Sequence, residues 1–425
     1  MKNKKRFLEK NIFLISLLFF LIKFSFGQNQ WVIYTPQNSG LPDSFVNGIL
    51  IDSNNVKWIT TSNGFAKLQG NTWTVYDTTN SGLPHNTCGG VTQDKTNKIW
   101  LNTYGKGIAK FDGVNWTVYN LENTGMPINH TTSIAFDNIN TKWIGGIGVF
   151  NFNDTLWLRY YTGNSGIPSN MVTNVFMEGN ILWVATADAG MGRFDGQDWI
   201  VYNNNNSGLP SNWVYMIKMD SYNNKWIATF FGGVAKFNFS QNLWTVYNTG
   251  NSGLHDNNTF SIYVDNNNVK WIGASGCARY NDTNWQIFLY SFIGDVFNFA
   301  KDKYGNMWIC TTRGLYVYNP TGVIGINNNT SVISDNFDLF QNYPNPFNSI
   351  SKIKYQLSNI QIKNQKVKLI IFNSIGQKLM TLVDKVQTPG IYEISFDGSN
   401  LASGIYFYQL QVNDFMQVKK MVFLK

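Results

Sequence analysis

The sequence predicts an all-β protein in which a seven-bladed β-propeller, closed by an N-terminal strand, is followed by a small Ig-like β-sandwich. Two series of seven tryptophans recur through most of the 425-residue chain, with short apolar runs between them, and no tryptophan follows Trp308. Members of the first series are 41 to 45 residues apart, and only Trp213 belongs to neither series. The series are Trp31, Trp73, Trp116, Trp157, Trp199, Trp244 and Trp285, and Trp58, Trp100, Trp143, Trp183, Trp226, Trp271 and Trp308.

The first 27 residues are typical of an export signal. A basic start, MKNKKRFLEK, precedes the apolar run NIFLISLLFFLI, and Ser25 and Gly27 supply small residues at the usual cleavage positions. The run is shorter than the roughly 20 residues that a membrane span needs. We therefore assign residues 1–27 to a signal peptide and expect no transmembrane segment after its removal.

The repeating unit reads W-x-V-Y, NSGLP, V-x-x-I-x-x-D, K-W-I-x-T and G-V-A-K-F. Each piece is a short run bounded by Gly, Asn, Asp or Pro, which indicates four short antiparallel strands. Four strands in about 42 residues, repeated seven times, are typical of propeller blades, whose sheets bury both faces against their neighbours. We expect the propeller to occupy residues 28–319.

The pentapeptide NSGLP, or a close variant, lies between the W-x-V-Y strand and the next inner strand. We interpret it as the corner where the chain crosses between blades: Asn-Ser-Gly makes the turn, Leu packs inward and Pro fixes the approach to the strand. Six copies begin at Asn38, Asn80, Asn123, Asn164, Asn206 and Asn251.

The chain ends of the propeller predict how the ring closes. No W-x-V-Y follows the seventh unit, which ends with the strand GLYVY at Tyr318, whereas an unmatched WVIY stands at residues 31–34. We predict that this N-terminal strand becomes the outer strand of the last blade, because such pairing protects two sheet edges at once.

Two stretches then point to a known family. VNGILIDSNNVKWITTSNGFAKL, from Val46, and FNFAKDKYGNMWICTTRGLYVY, from Phe297, resemble the two-component regulator propeller repeat. The resemblance covers about residues 31–319 and implies a propeller fold. Members of that family are often periplasmic sensor regions joined to a kinase and associated with glycan sensing.

The tail has a different composition. A linker rich in Asn, Gly, Ser and Thr, residues 320–337, leads into residues 338–425, whose apolar runs predict a small β-sandwich. QNYPNPFN, FNSIGQKL, LASGIYFYQL and KKMVFLK occur in this order and resemble the C-terminal sorting domain of type IX secretion substrates. The resemblance implies export to the outside or the outer surface of a Gram-negative cell, with the secretion machinery as a partner. The alternative is an ordinary sandwich binding module.

The charge distribution argues against a nucleic-acid partner. The net charge of +8 comes from the two ends, since residues 1–27 contribute +5 and residues 335–425 contribute +4, while residues 28–334 contribute −1. A phosphate-binding surface needs clustered basic residues, and those of the middle region are dispersed.

No motif predicts a catalytic, metal or cofactor site. The histidines, His85, His130 and His255, lack metal-ligand spacing and are interpreted as turn residues. Cys88, Cys277 and Cys310 occupy small apolar positions of the repeat. The recurring acids are interpreted as turn caps: Asp52, Asp94, Asp137, Glu178, Asp220, Asp265 and Asp302.

Positions that vary between repeats are the candidates for binding. They lie in the loops before the inner strands and in the turns between second and third strands, which we expect around one mouth of the channel. Exposed aromatics beside polar groups suit sugar or protein recognition, although Trp213 and Phe230 could instead plug the channel. The candidates are Phe45, Tyr104, Lys106, His130, Met171, Asp188, Trp213, Phe230, Phe231 and Arg313.

The sequence therefore predicts a secreted or surface-displayed binding module, monomeric, with a glycan or protein as its ligand. One alternative is a hydrolase or lyase acting on surface polysaccharide, for which Asp188, Asp295 and Arg313 would have to meet at the channel mouth. Another is a structural or adhesive surface protein without a discrete pocket.

Overall fold

A computed structural model describes residues 30–288, 293–322, 338–357, 365–388, 390–412 and 415–425. The predicted signal peptide and most of the predicted linker lie outside these residues. The propeller strands begin with β1 (Trp31–Tyr34), which precedes the first blade.

The blades follow in chain order. Blade 1 contains β2 (Val46–Ile51), β3 (Lys57–Thr61), β4 (Gly64–Gln69) and β5 (Thr72–Tyr76); blade 2 contains β6 (Cys88–Gln93), β7 (Ile99–Thr103), β8 (Gly107–Phe111) and β9 (Trp116–Tyr119). The short helix α1 (Leu121–Thr124) leads to blade 3, with β10 (Thr131–Phe136), β11 (Lys142–Gly146), β12 (Gly148–Phe152) and β13 (Trp157–Tyr160). Blade 4 contains β14 (Val172–Glu178), β15 (Ile181–Thr186), β16 (Met191–Phe194) and β17 (Trp199–Tyr202). Blade 5 contains β18 (Val214–Met219), β19 (Lys225–Thr229), β20 (Gly233–Asn238) and β21 (Leu243–Tyr247). Blade 6 contains β22 (Ser261–Val264), β23 (Lys270–Ala274), β24 (Gly276–Tyr280) and β25 (Trp285–Phe288), and blade 7 contains β26 (Val296–Lys301), β27 (Met307–Thr311) and β28 (Gly314–Tyr318).

Seven four-stranded antiparallel sheets form the propeller, as predicted. The first strand of each blade is the inner one: β2 lies against β6 on one side and β26 on the other, so the inner strands close a ring. The N-terminal strand is the outer strand of blade 7, with Trp31 opposite Tyr318 and Tyr34 opposite Leu315. The prediction of closure by the N-terminal strand is therefore confirmed.

The repeated acid and the repeated tryptophan form one structural unit. In blade 5, Oδ1 of Asp220 accepts the backbone N–H groups of Tyr222 and Asn224, both at 2.9 Å, which caps the turn after β18. Oδ2 accepts the indole N–H of Trp226 at 2.8 Å. Five other blades repeat the bond between acid and indole, from Asp52, Asp94, Asp137, Glu178 and Asp302.

Blade 6 departs from this arrangement. Asp265 still caps its turn, but its Oδ2 accepts the ammonium of Lys301 at 2.8 Å, and the buried indole nitrogen of Trp271 has no hydrogen-bond partner among the described residues. The acids thus serve as turn caps, as interpreted from the sequence, and in six blades they also orient the tryptophan.

The pentapeptide corners differ from their prediction in one respect. The Asn and Ser side chains do bind the turn: in the second corner, Asn80 accepts the N–H of Asp77 at 2.9 Å, and Leu83 packs inward with 3% of its surface exposed. In five of the six corners, however, the glycine does not have the left-handed backbone that makes glycine necessary in a turn; the exception is Gly125 of the third corner, with φ of +68°. A Cβ on Gly82 would lie 2.7 Å from Cβ of Trp116, so glycine is needed because the next blade's outer-strand tryptophan packs against it.

The C-terminal segment is a two-sheet sandwich. Its strands are β29 (Asp338–Leu339), β30 (Ile350–Leu357), β31 (Gln365–Phe372), β32 (Lys378–Gln387), β33 (Gly390–Asp397), β34 (Gly404–Val412) and β35 (Phe415–Phe423). One sheet has the order β29-β30-β33 and the other β32-β31-β34-β35. The QNYPNPFN segment contributes to its packing, because Phe347 is buried in the core and the Asn342 side chain donates to Oγ of Ser351 at 2.8 Å.

Candidate functional site

Two sets of loops surround one mouth of the channel, and a backbone hydrogen bond joins them in blades 1, 2, 4, 5 and 7. In blade 2, the N–H of Tyr104, in the turn between β7 and β8, donates to the carbonyl of Thr87, just before β6, at 3.1 Å. The same bond joins Phe230 to Trp213 at 2.9 Å in blade 5. We call this side the upper face: the loops before the inner strands together with the turns between second and third strands.

In the loops before Trp213 and His130, the variable residue follows an anchored asparagine. Before Trp213, the Asn212 side chain accepts a backbone N–H within its own loop at 2.9 Å, and its carbonyl accepts the N–H of Gly190 at 2.8 Å. Asn129 has the same two bonds immediately before His130. Side chains on a fixed backbone are better placed to recognise a ligand than side chains on a mobile loop.

A cavity of ≈ 430 Å³ opens on the upper face over blades 1 to 3. Three of the predicted binding residues, Phe45, Tyr104 and His130, line it together with Phe297 of blade 7. Phe45 stacks on Phe297 with ring centroids 5.3 Å apart, and Tyr104 meets His130 edge-on at 5.6 Å. The volume falls in the range of pockets that hold small molecules.

Aromatic rings continue from this cavity along one side of the channel mouth. Phe297 contacts Phe260 at 5.9 Å between centroids, and Phe260 contacts Tyr215 at 5.3 Å. Tyr215 contacts Trp213 at 5.9 Å, and Trp213 contacts Phe230 at 4.8 Å. We call the whole series the aromatic arc: Phe45, Phe297, Phe260, Tyr215, Trp213, Phe230 and Phe231.

The end of the arc is open to solvent. Phe231 packs on Phe230 at 4.0 Å and is 70% exposed, and Trp213 is 38% exposed. These side chains therefore present ring surface at the upper face instead of only filling the channel.

Three members of the arc were missed in the sequence. Tyr215, Phe260 and Phe297 stand at the second position of the inner segment in blades 5, 6 and 7. The equivalent residues of blades 1 to 4 are small or polar: Asn47, Gly89, Thr132 and Thr173. An alignment of this one position across the seven repeats would have predicted that one side of the channel mouth is aromatic and the other is lined by small or polar residues.

The other predicted residues lie apart from the cavity. Met171 is exposed and forms an isolated bridge to Ile147, and Lys106 lies exposed in the turn after β7. Asp188 belongs to blade 4, whereas Asp295 and Arg313 belong to blade 7. The Asp295 carboxylate accepts the hydroxyl of Ser275 at 2.6 Å.

Deeper in the channel, Lys218 was also missed. It lines two adjoining cavities of ≈ 250 and ≈ 290 Å³, near the amides of Asn174 and Asn298. Desolvation in the channel lowers the pKa of Lys218, because burial disfavours the charged ammonium.

The remaining candidates for chemistry have structural partners. Burial raises the pKa of the Cys88 thiol to about 12 and also raises the pKa of Cys277 and Cys310, so these thiols are poor nucleophiles at neutral pH. His85 accepts the N–H of Thr87 at 2.9 Å, and His255 bonds the carbonyl of Ser275 at 2.6 Å. Within the described ranges, no group of three His, Cys, Asp or Glu side chains could hold a metal ion.

The C-terminal tail is similar to a known family. Residues 341–424 match the family described as the secretion system C-terminal sorting domain. This domain marks the chain as a type IX secreted or cell-surface protein, as predicted. No helix in the described part of the chain is long and apolar enough to cross a membrane. A comparison of the sequence with curated proteins gives no match.

Solved structures support the propeller. The extracellular domain of a hybrid two-component system from B. thetaiotaomicron matches with a TM-score of 0.61 and 17% identity, over 93% of this chain and 57% of that one. The extracellular domain of a one-component system from the same organism matches with a TM-score of 0.58 and 14% identity, over 94% and 60%. Virginiamycin B lyase from Staphylococcus aureus matches with a TM-score of 0.54 and 14% identity, over 68% and 97%.

At these identities the similarity concerns the fold alone. The chain spans 57% and 60% of the lengths of the two extracellular domains. Together, the structural neighbours and the sorting domain define an extracellular β-propeller module exported by the type IX system.

Proposed function

We propose that this protein is a secreted or cell-surface binding module that recognises a glycan through the upper face of its propeller. The observation that carries the proposal is the two-sided channel mouth. The aromatic arc forms one side, and the small or polar residues of blades 1 to 4 form the other. Sugars need this combination, because the C–H faces of the ring pack on aromatic surface while the hydroxyls need hydrogen-bonding groups.

The extracellular setting is consistent with such a ligand. The two bacterial neighbours are themselves extracellular domains of signalling proteins, which supports a role in recognition outside the cell. A protein ligand would use the same aromatic surface and is the main competing occupant.

The test uses an array of surface polysaccharides and outer-surface proteins, probed with the full chain after signal removal. Trp213→Ala and Phe231→Ala should each weaken glycan binding about ten-fold or more, since each removes a stacking surface. Tyr222→Ala is the matched control, because Tyr222 is also 70% exposed but lies in the turn between β18 and β19, away from the upper face.

Two results would contradict the proposal. One is an intact protein that binds no glycan on the array. The other is glycan binding that falls equally in all three variants, because the control side chain lies away from the arc.

A further inference from the structure

Blade 2 departs from the other blades inside the cavity of the upper face. Its second strand, β7, carries Asn102 at a position where the other blades have smaller residues. Those residues are Thr60, Gly145, Ala185, Ala228, Gly273 and Cys310. The scaffold therefore does not require an amide at this position, and Asn102 needs another explanation.

The Asn102 side chain is buried with one hydrogen bond missing. It is 3% exposed, and its Nδ2 donates to Oγ1 of Thr131 at 2.7 Å. The Thr131 hydroxyl has an acceptor for its own proton in the carbonyl of Gly107, at 3.5 Å, which favours the orientation in which the amide nitrogen donates to Thr131. Oδ1 of Asn102 then has no partner among the described residues, and a buried acceptor without a donor is destabilising.

The inner strand of blade 2 brings only glycine residues next to this buried oxygen. Gly89 and Gly90 line the same cavity as Asn102, and neither has a positive φ, so the backbone there accepts other residues. A Cβ on Gly90 would lie 3.5 Å from Oδ1, in ordinary contact, and would cover it. The two glycines thus leave open a space that any side chain would fill.

The rest of the lining defines the chemistry of an occupant. Phe45 and Phe297 supply one aromatic wall, and Tyr104 and His130 supply another. No Lys, Arg, Asp or Glu is among the lining residues, so the cavity offers no counter-charge to an ion. An occupant should therefore be uncharged, carry a hydrogen-bond donor and have a flat apolar face.

We infer that this cavity is a subsite for a single neutral sugar ring. A hydroxyl of the sugar donates to Oδ1 of Asn102, and a C–H face of the ring packs against the aromatic walls. This inference rests on the proposed function and deepens it, because it assigns one ring of the glycan to blade 2 and excludes acidic sugars from that place.

The experiment measures binding of methyl hexopyranosides and neutral hexose oligosaccharides to the full chain, by saturation-transfer NMR and calorimetry, with methyl glucuronide as the anionic probe. Two variants remove the subsite in different ways. Asn102→Ala deletes the acceptor and installs the residue that blades 4 and 5 already carry, so the fold should tolerate it. Gly90→Ala keeps the amide and covers its oxygen with a methyl group.

We expect the neutral oligosaccharides to bind the unmodified protein and the glucuronide to bind much more weakly or not at all. Both variants should weaken neutral-sugar binding about ten-fold or more. Their unfolding midpoints should stay close to that of the unmodified protein. Asn102→Ala loses the hydrogen bond to Thr131 but also removes an unsatisfied buried oxygen, and Gly90→Ala replaces a strand glycine. A folding defect would appear in those midpoints and is thereby separated from loss of the subsite.

Other results separate failure of the subsite from failure of the proposed function. Neutral sugars that bind both variants normally, but bind Trp213→Ala poorly, would overturn the subsite and leave glycan binding by the aromatic arc intact. Tight binding of the glucuronide would overturn the neutral-sugar assignment. An unmodified protein that binds peptides and no sugar would overturn both proposals.

Discussion

At the scale of single residues, the paired acid and tryptophan show how one side chain can organise a blade. Asp220 accepts two backbone N–H groups, an indole N–H and the Asn224 amide, so a turn and a core residue depend on one carboxylate. Burial by itself would raise the pKa of Asp220, but hydrogen bonds from Asn224 and Trp226 outweigh it and lower the pKa below its usual value.

A pH dependence of stability follows from that direction. A carboxyl group whose pKa is lower in the folded protein than in the unfolded chain stabilises the fold at pH values above its unfolded pKa, which is about 3.9 for aspartate. This stabilisation is lost as the pH falls through the pKa of the folded protein. Asp220→Ala should therefore lower the free energy of unfolding by about 2 kcal/mol at pH 7, since it removes hydrogen bonds to a charged group. Urea denaturation followed by tryptophan fluorescence should show this difference shrinking below about pH 4.

The control for this measurement is Asp198→Ala. Asp198 is exposed, and in the described structure its carboxylate accepts no hydrogen bond, so its loss should change the free energy of unfolding by less than about 0.5 kcal/mol at either pH. A loss at Asp220 that persisted unchanged at pH 3 would show that the charge does not stabilise the turn.

At the scale of elements, the corner between blades is fixed by contact with the next blade. Gly253 and Gly250 belong to the same crossing and differ in what surrounds them. A Cβ on Gly253 would lie 2.2 Å from Cβ of Trp285, whereas a Cβ on Gly250 would approach only the Asn248 side-chain oxygen, at 3.2 Å. The corner therefore both reverses the chain direction and packs against the following blade.

Replacing each glycine by alanine should separate these two roles. Gly253→Ala should lower the free energy of unfolding by about 1–3 kcal/mol, because the clash involves the base of a ring held between two blades. Gly250→Ala should stay within about 0.5 kcal/mol of the unmodified protein. Thermal unfolding monitored by tryptophan fluorescence reports on the propeller alone, since no tryptophan follows Trp308. Equal effects of the two substitutions would rule out the contact with Trp285 as the reason for glycine.

The corners also show what repetition in a sequence can predict. Spacing alone predicted the blades, their strands and the closing strand, because each depends on patterns within one unit or at its ends. The packing of Gly82 on Trp116 joins one crossing to the following blade, and nothing in the pentapeptide itself indicates that contact. The contact between Phe45 and Phe297 likewise could not be predicted from the sequence, because only closure of the ring brings blades 1 and 7 together.

At the scale of the whole molecule, the residues that form the scaffold repeat from blade to blade, but the residues at the channel mouth do not. The acid, tryptophan and corner residues recur around the ring, whereas the residue at the second inner position is small or polar in blades 1 to 4 and aromatic in blades 5 to 7. A ring of seven identical blades would offer a ligand seven equivalent orientations, whereas this break in symmetry allows one orientation to be preferred. The aromatic arc runs through blades 5, 6, 7 and 1, across the junction where the two chain ends meet.

Closure of the ring should therefore stabilise both the fold and the site. Strand β1 buries Val32 and Tyr34, and Tyr34 stacks on Trp308 at 5.8 Å between centroids.

A chain that begins at Thr35 loses these contacts and exposes the edge of β28. Burial of two such side chains contributes about 3 kcal/mol or more, so we expect a large drop in the unfolding midpoint of the propeller. A chain that begins at Gln30 is the control and should unfold like the full mature protein. Because Phe45 meets Phe297 only across this junction, the shortened chain should also bind neutral sugars more weakly while it is still folded. An unchanged midpoint would show that the ring does not need its N-terminal strand. If the chain that begins at Thr35 had a lower unfolding midpoint but bound neutral sugars normally, the binding site would not depend on closure of the ring.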